Sequence, residues 1–343
     1  MKAARKLRVL ALVYEGHVPP EGAREEEARS APWKTEYDVV TTLRGLGHEV
    51  LPLGVGGDLT PVRHALTEFQ PHIAFNLIEA FDEVATFDYN VVAFLELMKV
   101  PYTGCNARGL LLARDKAIAK KLLSYHRVPV TDFTVFLRGR HVRRPKRLAF
   151  PLIVKSATLD ASIGISQASV VENDDKLAER VRFIHESVGT DALVETYIEG
   201  RELYVGILGS ARLTVLPVWE LLFTKMPEEQ RRIATERLKW SLTYQRRRGI
   251  VSGEAKDLPP AIAARMVTLC RRAYRTLMLT GYARVDLRLT EAGEPYVLEA
   301  NPNPELARDE DFAESAVAAG IPYDELIQRL LMLGLRWEPK RFG

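Results

Sequence analysis

The sequence predicts an α/β domain followed by α+β domains, and three observations support this fold class. Strand-like and helix-like segments alternate from Arg8 to Thr103, which is typical of a doubly wound parallel sheet. Short strands and helices follow without that regular alternation. Near the C-terminus, two segments that alternate apolar and polar residues flank a polar turn. The expected domains are residues 1–112, residues 113–195 and residues 196–343.

The first domain is expected to contain four strands and three helices, because apolar runs alternate with segments of helical periodicity. In order these are strand Arg8–Tyr14, helix Glu36–Leu46, strand Glu49–Leu53, helix Val62–Phe69, strand His72–Asn76, helix Tyr89–Met98 and short strand Tyr102–Thr103. The polar segment Glu15–Thr35 after the first strand is unusually long for a connection. Loops of that length are usually functional or disordered, so we expect a mobile loop near the active site.

The other two domains are expected to consist of shorter elements. They begin with helix Arg114–Tyr125, strands Phe133–Leu137, Leu152–Ser156, Ile165–Val170 and Leu193–Glu195, and helix Asp175–Ser187 between the last two strands. Then come paired strands Glu202–Ile207 and Leu213–Val218, and a polar stretch at residues 224–257 whose weak periodicity predicts a flexible crossover. The final pair of strands lies between helices Pro260–Leu277 and Asp324–Leu335.

Length and charge restrict the class of protein. The chain of 343 residues is long enough for two or three domains with their own cores, and its 47% hydrophobic and 27% charged residues are ordinary for a globular protein. The 48 basic and 45 acidic residues leave a net charge of +3, which provides no global field for nucleic acid. We interpret the basic runs Arg143–Arg147 and Arg246–Arg248 as solvated loops and expect no nucleic-acid partner.

The cysteines and the N-terminus favour a reduced, soluble, cytoplasmic protein. Cys105 and Cys270 are too few and too far apart for a zinc site or a disulfide framework. The start is basic and then apolar, but the apolar run from Val9 ends at Glu15 without a small-residue cleavage site, which favours a strand over a signal peptide. No apolar run approaches the roughly 18 residues of a membrane span, so no membrane association is expected.

The final pair of strands, ARVDLRLTEAGEPYVLEANPNPE, carries the most informative chemical pattern. Side chains alternate faces along a strand, so Arg284 and Asp286 share one face of the first strand. The register across the polar turn then decides which residues they meet. If Leu289 pairs with Tyr296, the expected opposed pairs are Asp286 with Glu299 and Arg284 with Asn301.

Two interpretations of this cluster are open. Directly opposed residues have Cβ atoms about 4.5–5.5 Å apart, and like charges there repel. A hard divalent cation between Asp286, Glu299 and the oxygen of Asn301 would remove the repulsion, because such metals prefer oxygen ligands. Alternatively, Arg284 neutralises the carboxylates and the segment is a salt-bridged hairpin. A register shift of one residue would destroy the cluster in either case.

Three lysines and a loop of small residues precede the hairpin. Lys116 lies in the first turn of its expected helix, Lys155 lies near the end of the strand PLIVKS, and Lys239 lies in the polar stretch ERLKWS. The loop Ser156–Gly164 can bring backbone N–H groups close to phosphate oxygens, for which lysines supply positive charge. The alternative for each lysine is an ordinary exposed side chain.

The segment Leu193–Glu202, LVETYIEGRE, is an apolar strand that leads into a turn. Its backbone can present a hydrogen-bond donor and an acceptor to a flat base, with a carboxylate for ribose hydroxyls. By itself the segment is equally compatible with a domain hinge.

In this order the segments resemble one family, the ATP-grasp carboxylate–amine ligases, and specifically the D-alanine–D-alanine ligases and their relatives. The matching motifs are PYTGC followed by ARDKAIAKKLL, then FPLIVKS, ASIGIS, LVETYIEGRELYVGIL, LKW, GYARVDLRL and YVLEANPNPE. Each motif is weak alone, but their order is highly specific, and the resemblance covers nearly the whole chain. It implies an ATP-grasp fold, ATP and Mg²⁺ as cofactors, and small-molecule carboxylate and amine substrates, and it is compatible with a homodimer.

The resemblance implies a nucleotide site. Lys116 and Lys155 would bind the nucleotide phosphates, Lys239 would reach the γ-phosphate, and Glu202 would hold the ribose. The adenine would contact the hinge residues Glu195, Thr196, Tyr197 and Ile198.

The resemblance also implies the chemistry. Asp286, Glu299 and Asn301 would bind two Mg²⁺ ions, with Mn²⁺ as an alternative metal. A substrate carboxylate would attack the γ-phosphorus of ATP to give an acyl phosphate, which Arg284 would stabilise together with the tetrahedral intermediate. Glu36 would orient the amino group of the first amino acid. An amine would then displace phosphate and form an amide, and no covalent protein nucleophile is required.

Several positions depart from the family pattern. The glycine- and serine-containing N-terminal loop of the D-alanine enzymes is replaced by Glu15–Thr35. Ala161 and Trp240 stand where a serine and a tyrosine commonly close the site, and the neighbouring Ser162 is a candidate substitute. Glu305 stands near the position of a glycine whose N–H helps to form the oxyanion hole.

The largest departure is the acidic run Asp309–Asp311, which stands where the family has a serine and a leucine that hold the carboxylate of the second substrate. Because carboxylates repel a carboxylate, we expect an acceptor with a positive amine, or a larger molecule. Alternatively, the run is the solvated first turn of a helix, where negative charge is favourable.

Two further functional classes remain as alternatives. A catalytically reduced nucleotide-binding module would act as a regulator, but a decayed site should lose its metal ligands first, and Asp286, Glu299 and Asn301 are all present. A kinase on the same fold would stop at the phosphorylated product.

Overall fold

A computed structural model of the chain describes residues 6–160, 162–227 and 230–339, apart from the side chains of residues 239, 240 and 242. The predicted site residue Lys239 and the compared residue Trp240 therefore have no described side chain, and Ala161 lies outside the described residues.

The N-terminal part is a parallel sheet with helices on both faces. Its elements are β1 (Arg8–Tyr14), α1 (Glu25–Ala28), α2 (Lys34–Gly45), β2 (Glu49–Val55), α3 (Thr60–Glu68), β3 (Ile73–Asn76) and α4 (Asp88–Leu97). The strand order is β2-β1-β3. Val9 of β1 shares a core cluster with Leu43 of α2, whereas Leu10 shares one with Val91 of α4. Successive residues thus face opposite helical layers, which confirms the predicted doubly wound α/β arrangement.

The central part is a small antiparallel sheet that follows two helices. The elements are α5 (Ala107–Arg114), α6 (Lys116–Tyr125), β4 (Phe133–Phe136), β5 (Leu152–Ser156), β6 (Val170–Val171), α7 (Asp174–Phe183) and β7 (Ala192–Thr196). The strand order is β4-β7-β5-β6, and α7 packs on the sheet through Leu177 and Val181. One turn of π-helix extends α7 from Ile184 to Val188.

The C-terminal part contains a larger antiparallel sheet of five strands. Its elements are β8 (Arg201–Gly209), β9 (Leu213–Phe223), α8 (Glu236–Trp240), α9 (Leu242–Arg248), β10 (Ile250–Glu254), α10 (Pro260–Thr276), β11 (Tyr282–Leu289), β12 (Pro295–Pro302), α11 (Asp311–Ala318) and α12 (Tyr323–Gly334). The strand order is β10-β9-β8-β11-β12. Leu326 and Leu330 of α12 share a core cluster with Val9 and Phe75 of the N-terminal sheet. Helix α12, near the C-terminus, therefore packs against the N-terminal sheet. The three-domain division at residues 112 and 195 stays a prediction.

Two contacts fix the open end of the hairpin, before β11 and after β12, against the N-terminal part. Gly281 has a φ of +70°, and a Cβ placed on it would lie 2.2 Å from the backbone oxygen of Gly104. Asn303 Oδ1 accepts a hydrogen bond from the N–H of Cys105 at 2.7 Å. The segment PYTGC thus positions the tail of the hairpin, which explains why a glycine is needed at position 281.

The predicted strand Ile165–Val170 is wrong. Residues Gln167–Ser169 form a 3₁₀ turn, and only the two-residue β6 pairs with β5. Ser169 Oγ accepts from the N–H of Ser166 at 3.0 Å. Serine side chains that bond the local backbone compete with a sheet ladder, which accounts for the difference.

The predicted helix Arg114–Tyr125 is observed as α6, but it begins two residues later, at Lys116. α5 ends at Arg114 and α6 begins at Lys116, because Asp115 has an extended backbone and its carboxylate accepts from the N–H groups of Ala117 and Ile118 at 2.9 and 2.8 Å. Aspartate at this position caps a helix N-terminus. The cap starts a new helix whose first residue is a lysine.

Two predicted irregular regions are more ordered than expected. The loop Glu15–Thr35 contains the short helix α1 and the first residues of α2. In the stretch at residues 224–257, α8, α9 and β10 are present, and β10 adds an edge strand to β9. The predicted flexible crossover is therefore wrong for the described part of that stretch. Helices as short as α8 and α9 are expected to show weak hydrophobic periodicity in the sequence, because each has only a few residues on its buried face.

None of the described helices is both long enough and apolar enough to cross a membrane.

Candidate active site between the two antiparallel sheets

A cleft separates the central sheet from the C-terminal sheet. Its empty space is about 830 Å³, a figure that includes open solvent at its mouth. Ten of the predicted site residues line it: Lys116, Lys155, Ser162, Glu195, Thr196, Tyr197, Ile198, Glu202, Asp286 and Glu299. The structure thus brings together residues that come from four separate regions of the sequence. Arg284 and Asn301 bond to Asp286 beside the cleft.

The predicted cross-strand pairs of the hairpin are confirmed. Asp286 lies opposite Glu299 and Arg284 lies opposite Asn301. The predicted pairing of Leu289 with Tyr296 is wrong, because Leu289 lies opposite Pro295. A β-bulge between Asp286 and Leu287 absorbs the difference of one residue.

The bulge has a consequence for the cleft. Leu298 and Glu299 are consecutive in the chain, yet both line the cleft, together with Asp286 of the facing strand. In a regular strand, consecutive side chains would point to opposite faces. The extra residue thereby places an apolar side chain next to the carboxylates.

Asp286 has a dense set of polar partners. Arg284 donates to both carboxylate oxygens, with Nε–Oδ1 at 2.8 Å and Nη2–Oδ2 at 3.0 Å, and Asn301 Nδ2 donates to Oδ2 at 3.0 Å. The guanidinium of Arg284 also lies over the ring of Tyr204, 4.7 Å from its centre. Burial lowers the pKa of Arg284, but Asp286 outweighs that effect and raises it. The salt-bridge interpretation is therefore realised for Asp286.

The same donor set fits a hard divalent cation. Asp286 and Glu299 contribute carboxylate oxygens from adjacent strands, and Asn301 adds an amide. Oxygen ligands of this kind suit Mg²⁺, which is usually held by one or two carboxylates together with phosphate and water oxygens. Among the described residues no group of three acidic, histidine or cysteine side chains is close enough to hold a metal by itself.

Lys116 is a buried cation at the centre of the cleft. Its Nζ lies 2.5 Å from Asp160 Oδ1, 2.9 Å from the backbone oxygen of Leu159 and 3.5 Å from Glu299 Oε2. Burial lowers its pKa, but Asp160 and Glu299 outweigh burial and raise the pKa to about 12. Lys116 is therefore a fixed positive charge next to the predicted metal site.

Lys155 shares a carboxylate with a lysine that sequence reasoning missed. Glu195 is only 1% exposed, and its oxygens lie 2.7 Å from Lys120 Nζ and 2.6 Å from Lys155 Nζ. Burial raises the pKa of Glu195, but the two lysines outweigh it and hold the pKa at about 2. Lys120 could have been found, because it lies four residues after Lys116 on the same face of an amphipathic helix.

The predicted adenine hinge follows β7. The N–H groups of Thr196 and Tyr197 are already bonded, to the backbone oxygens of Asp132 at 2.9 Å and Pro151 at 3.0 Å. Within the part of the chain that the structure describes, the N–H of Ile198 has no intramolecular acceptor. Of the four hinge residues, Ile198 therefore has the backbone donor best placed for a base, whereas the Glu195 side chain serves the two lysines.

The predicted ribose ligand Glu202 already has two partners. Arg288 Nη2 donates to Glu202 Oε2 at 2.7 Å, and Tyr204 donates its hydroxyl to Oε1 at 3.0 Å. Arg288 also lines the cleft but was missed from sequence. Its position two residues after Asp286 in the alternating strand was the available signal.

The small-residue loop lines the cleft with several of its residues, among them Ser156 and Ser162. Ser156 Oγ accepts from the N–H groups of Thr158 at 3.2 Å and Leu159 at 3.0 Å, and Ser162 adopts a left-handed φ of 58°. Gly164 donates its N–H to Glu236 of α8 at 2.8 Å, which ties the loop to the segment that contains Lys239.

A second group missed from sequence ties this loop to the N-terminal part. Arg114 donates to Asp88 Oδ2 at 2.9 and 2.7 Å and also bonds Asp160. Burial raises the pKa of Asp160, but Lys116 and Arg114 outweigh it and lower the pKa to about 2. No simple periodicity marks these residues, because they meet only after three segments have folded together.

Glu36 lies on α2 and is not among the residues that line the cleft. It is 6% exposed, its Oε1 lies 3.2 Å from His17 Nδ1, and no described residue donates to its Oε2. Burial, with a smaller contribution from Glu305, raises the pKa of Glu36 to about 7. The preceding residue, Thr35, donates its hydroxyl to Glu305 at 3.0 Å, so this part of α2 lies beside the tail of the hairpin.

Because the pKa of Glu36 is raised, the protein is expected to lose stability as the pH rises. The folded state keeps the proton that the unfolded chain releases at the ordinary glutamate pKa of 4.5, so this stabilisation is complete below about pH 4.5 and is lost as the pH rises through about 7. The loss attributable to Glu36 is about 3 kcal/mol. Glu36→Gln should therefore flatten the decline in unfolding free energy between pH 5 and 8, measured by urea denaturation. Glu25→Gln, at an exposed ion pair, is the control and should leave the slope unchanged.

Comparisons with known proteins agree on one family. The family model of the D-ala D-ala ligase C-terminus matches residues 122–332. A D-alanine–D-alanine ligase of Desulforudis audaxviator is 30% identical over 86% of this chain and 90% of its own length. An uncharacterized protein of Sinorhizobium fredii, y4sG, is 33% identical over 88% of both chains.

Solved structures agree on the fold. The D-alanine–D-alanine ligase of Bacillus anthracis complexed with ATP superimposes with a TM-score of 0.73 at 22% identity, covering 96% of this chain and 98% of that one. The corresponding enzyme of Coxiella burnetii gives a TM-score of 0.69 at 17% identity, over 97% and 94% of the two chains. The predicted ATP-grasp fold is thereby confirmed. The chain belongs to the D-alanine–D-alanine ligase family of ATP-grasp enzymes, which are ATP-dependent carboxylate–amine ligases.

Proposed function

We propose that this protein activates a donor carboxylic acid as an acyl phosphate and transfers the acyl group to an amine, with an acceptor specificity different from that of the D-alanine enzymes. The observation that carries the proposal is the cleft itself, where the buried cations Lys116 and Lys155 face the carboxylates Asp286 and Glu299. A triphosphate and a metal are the chemical groups that such opposed charges suit.

In this proposal the nucleotide lies along the cleft from the hinge to the hairpin. The adenine contacts the hinge near Ile198, between apolar side chains that include Ile153 and Leu298. Glu202 holds the ribose, with Arg288 fixing the carboxylate. The phosphates extend toward the two lysines. Asp160 must then yield its place on Lys116 to a phosphate oxygen.

Asp286, Glu299 and Asn301 are the residues that would hold Mg²⁺. Bound there, the metal would neutralise charge that develops on the transferred phosphoryl group. Two ions, a homodimer and a cytoplasmic location stay predictions.

The proposed reaction proceeds in two steps. A donor carboxylate oxygen attacks the γ-phosphorus while the bond to the β-phosphate oxygen breaks, giving an acyl phosphate and ADP. The acceptor nitrogen then attacks the acyl carbon, phosphate leaves, and the amine proton is lost. Arg284, held beside the carboxylates by Asp286, is positioned to offset negative charge in both steps.

The acidic residues expected near the acceptor amine favour an altered specificity. The acidic run Asp309–Asp311 leads into α11, so the alternative that it forms the first turn of a helix has a structural basis. A carboxylate-bearing acceptor would nevertheless meet Glu305 and Glu310 there. Repulsion between like charges disfavours such an acceptor.

The test is ADP release from ATP and Mg²⁺ with panels of carboxylic acids, each with and without amines. A ligase requires both an acid and an amine for rapid turnover. Equal product without any amine would favour the kinase, and no turnover in any mixture would favour the regulatory module. Rapid formation of a dipeptide from D-alanine alone would contradict the altered specificity.

A further inference from the structure

The ammonium group of Lys116 is already surrounded by oxygens of the protein. Its Nζ lies 2.5 Å from Asp160 Oδ1, 2.9 Å from the backbone oxygen of Leu159 and 3.5 Å from Glu299 Oε2. A lysine ammonium carries three N–H donors, so these three oxygens match its full capacity. A phosphate oxygen can therefore bind Lys116 only if one of them gives way.

The oxygen of Asp160 is the one most easily displaced. The oxygen of Leu159 belongs to the main chain, so moving it would require a change in the backbone. Glu299 is the more distant carboxylate, and strand β12 holds it in the sheet. Asp160 reaches Lys116 with a side chain from the loop between β5 and β6, at a position outside any helix or strand.

A second cation can keep Asp160 after it leaves Lys116. Arg114 bonds Asp160 through Nη1, while its Nε and Nη2 donate to Asp88 Oδ2 at 2.9 and 2.7 Å. The side chain of Asp88 is 1% exposed and belongs to α4, so the guanidinium is firmly held. Stranding a charge in a protein interior is costly, and Arg114 prevents that cost when Asp160 releases the lysine.

Asp160 also lies where an entering phosphate would meet it. It lines the cleft together with Lys116 and Lys155. Its side chain is 25% exposed, whereas that of Lys116 is 5% exposed, so the carboxylate is the more accessible member of the pair. A polyanion that approaches the lysine therefore encounters a negative charge beside the cation that it needs.

We propose that Asp160 is a built-in competitor of nucleotide phosphate for Lys116. Without nucleotide it occupies the ammonium group, and when a phosphate binds it is displaced and stays with Arg114. Every ligand whose phosphates reach Lys116 must drive this exchange, which weakens its binding. The inference rests on the proposed function, because it concerns the same nucleotide site, and it makes Asp160 a determinant of affinity there.

The test compares two ligands by calorimetric titration into the full-length protein in the presence of Mg²⁺. One is a non-hydrolysable ATP analogue, and the other is adenosine, which has no phosphate. Asp160→Asn should bind the analogue at least about tenfold more tightly, because the competing charge is gone, and should bind adenosine within about twofold of the unaltered protein. Asp175→Asn is the matched control, since it removes the same charge from an exposed position of α7 that does not line the cleft. It should leave both affinities unchanged.

Further variants connect the effect to the lysine. In a Lys116→Met background, Asp160→Asn should change the affinity for the analogue by less than about threefold, because the contested cation is absent. Asp160→Ser also removes the charge, with a smaller side chain, and should tighten binding of the analogue in the same direction. Urea denaturation without ligand establishes that each variant is folded.

The outcomes separate this inference from the proposed function. If both charge-removing variants bind the analogue no more tightly than the unaltered protein, Asp160 is not a competitor, and the ligase proposal stands. A gain that adenosine shares equally would also overturn the inference, because its cause would then lie away from the phosphates. If the analogue does not bind the unaltered protein in the presence of Mg²⁺, the proposed function itself fails.

Discussion

Replacing Glu195 with glutamine is expected to lower the free energy of unfolding by about 3–5 kcal/mol. The carboxylate is 1% exposed and lies between Lys120 and Lys155, so the substitution leaves two buried cations without their common counter-charge. Removing one partner of a buried ion pair is costly because the remaining charge has lost its hydration and gained nothing in return. Urea denaturation at neutral pH measures the effect.

Two further variants test the physical cause. Glu179→Gln removes an exposed glutamate that pairs with Lys176, and it should leave the free energy of unfolding nearly unchanged. Adding Lys120→Met to Glu195→Gln should restore part of the lost stability, because one of the two stranded charges is then gone. If the double variant loses more free energy of unfolding than the two single variants lose together, charge stranding is not the reason.

Replacing Asp286 with asparagine is expected to reduce ATP-dependent ADP release at least about 100-fold. The side chain keeps its shape but loses the negative charge that faces Glu299 across the strands and pairs with Arg284. The Mg²⁺ concentration needed for half-maximal nucleotide binding should rise at the same time, since one of the proposed carboxylate ligands is lost. Steady-state turnover and nucleotide binding are both measured across a Mg²⁺ titration.

The matched control lies in the same hairpin. Glu294→Gln removes an exposed carboxylate that pairs with Arg265 at the turn and is not among the residues that line the cleft. It should leave turnover and the Mg²⁺ dependence within about twofold of the unaltered protein. Should Asp286→Asn retain full activity with an unchanged Mg²⁺ dependence, Asp286 would have only the structural role of fixing Arg284.

The hairpin illustrates how far sequence reasoning reaches. Alternation predicts that Arg284 shares a strand face with Asp286, and that Glu299 shares one with Asn301. The observed cross-strand pairs, Asp286 with Glu299 and Arg284 with Asn301, agree with this prediction. The predicted pairing at the turn differs from the observed pairing by one residue. The bulge between Asp286 and Leu287 restores the predicted register at the functional residues. Side-chain alternation is a local property that residue types reveal, whereas a bulge depends on how both strands fit the rest of the sheet.

The central lysines illustrate the opposite case. Lys116 and Lys155 were identified through their motifs, but Lys120 and Asp160 were not, although they provide the partners for Glu195 and Lys116. Identifying a buried ion pair requires both the burial of each group and the position of its partner. Neither follows from residue type when the partners come from different segments.

The sequence by itself determined the alternation of strands and helices from β1 to α4, except for the short helix α1, as well as the hairpin with its carboxylates and the family to which the chain belongs. These features depend on local periodicity and on the order of motifs. The tertiary structure alone decided that Glu195 serves two buried lysines and that Asp160 joins Arg114 to Lys116. Electrostatic interactions act through space over several ångströms, so they link residues that no pattern along the chain connects.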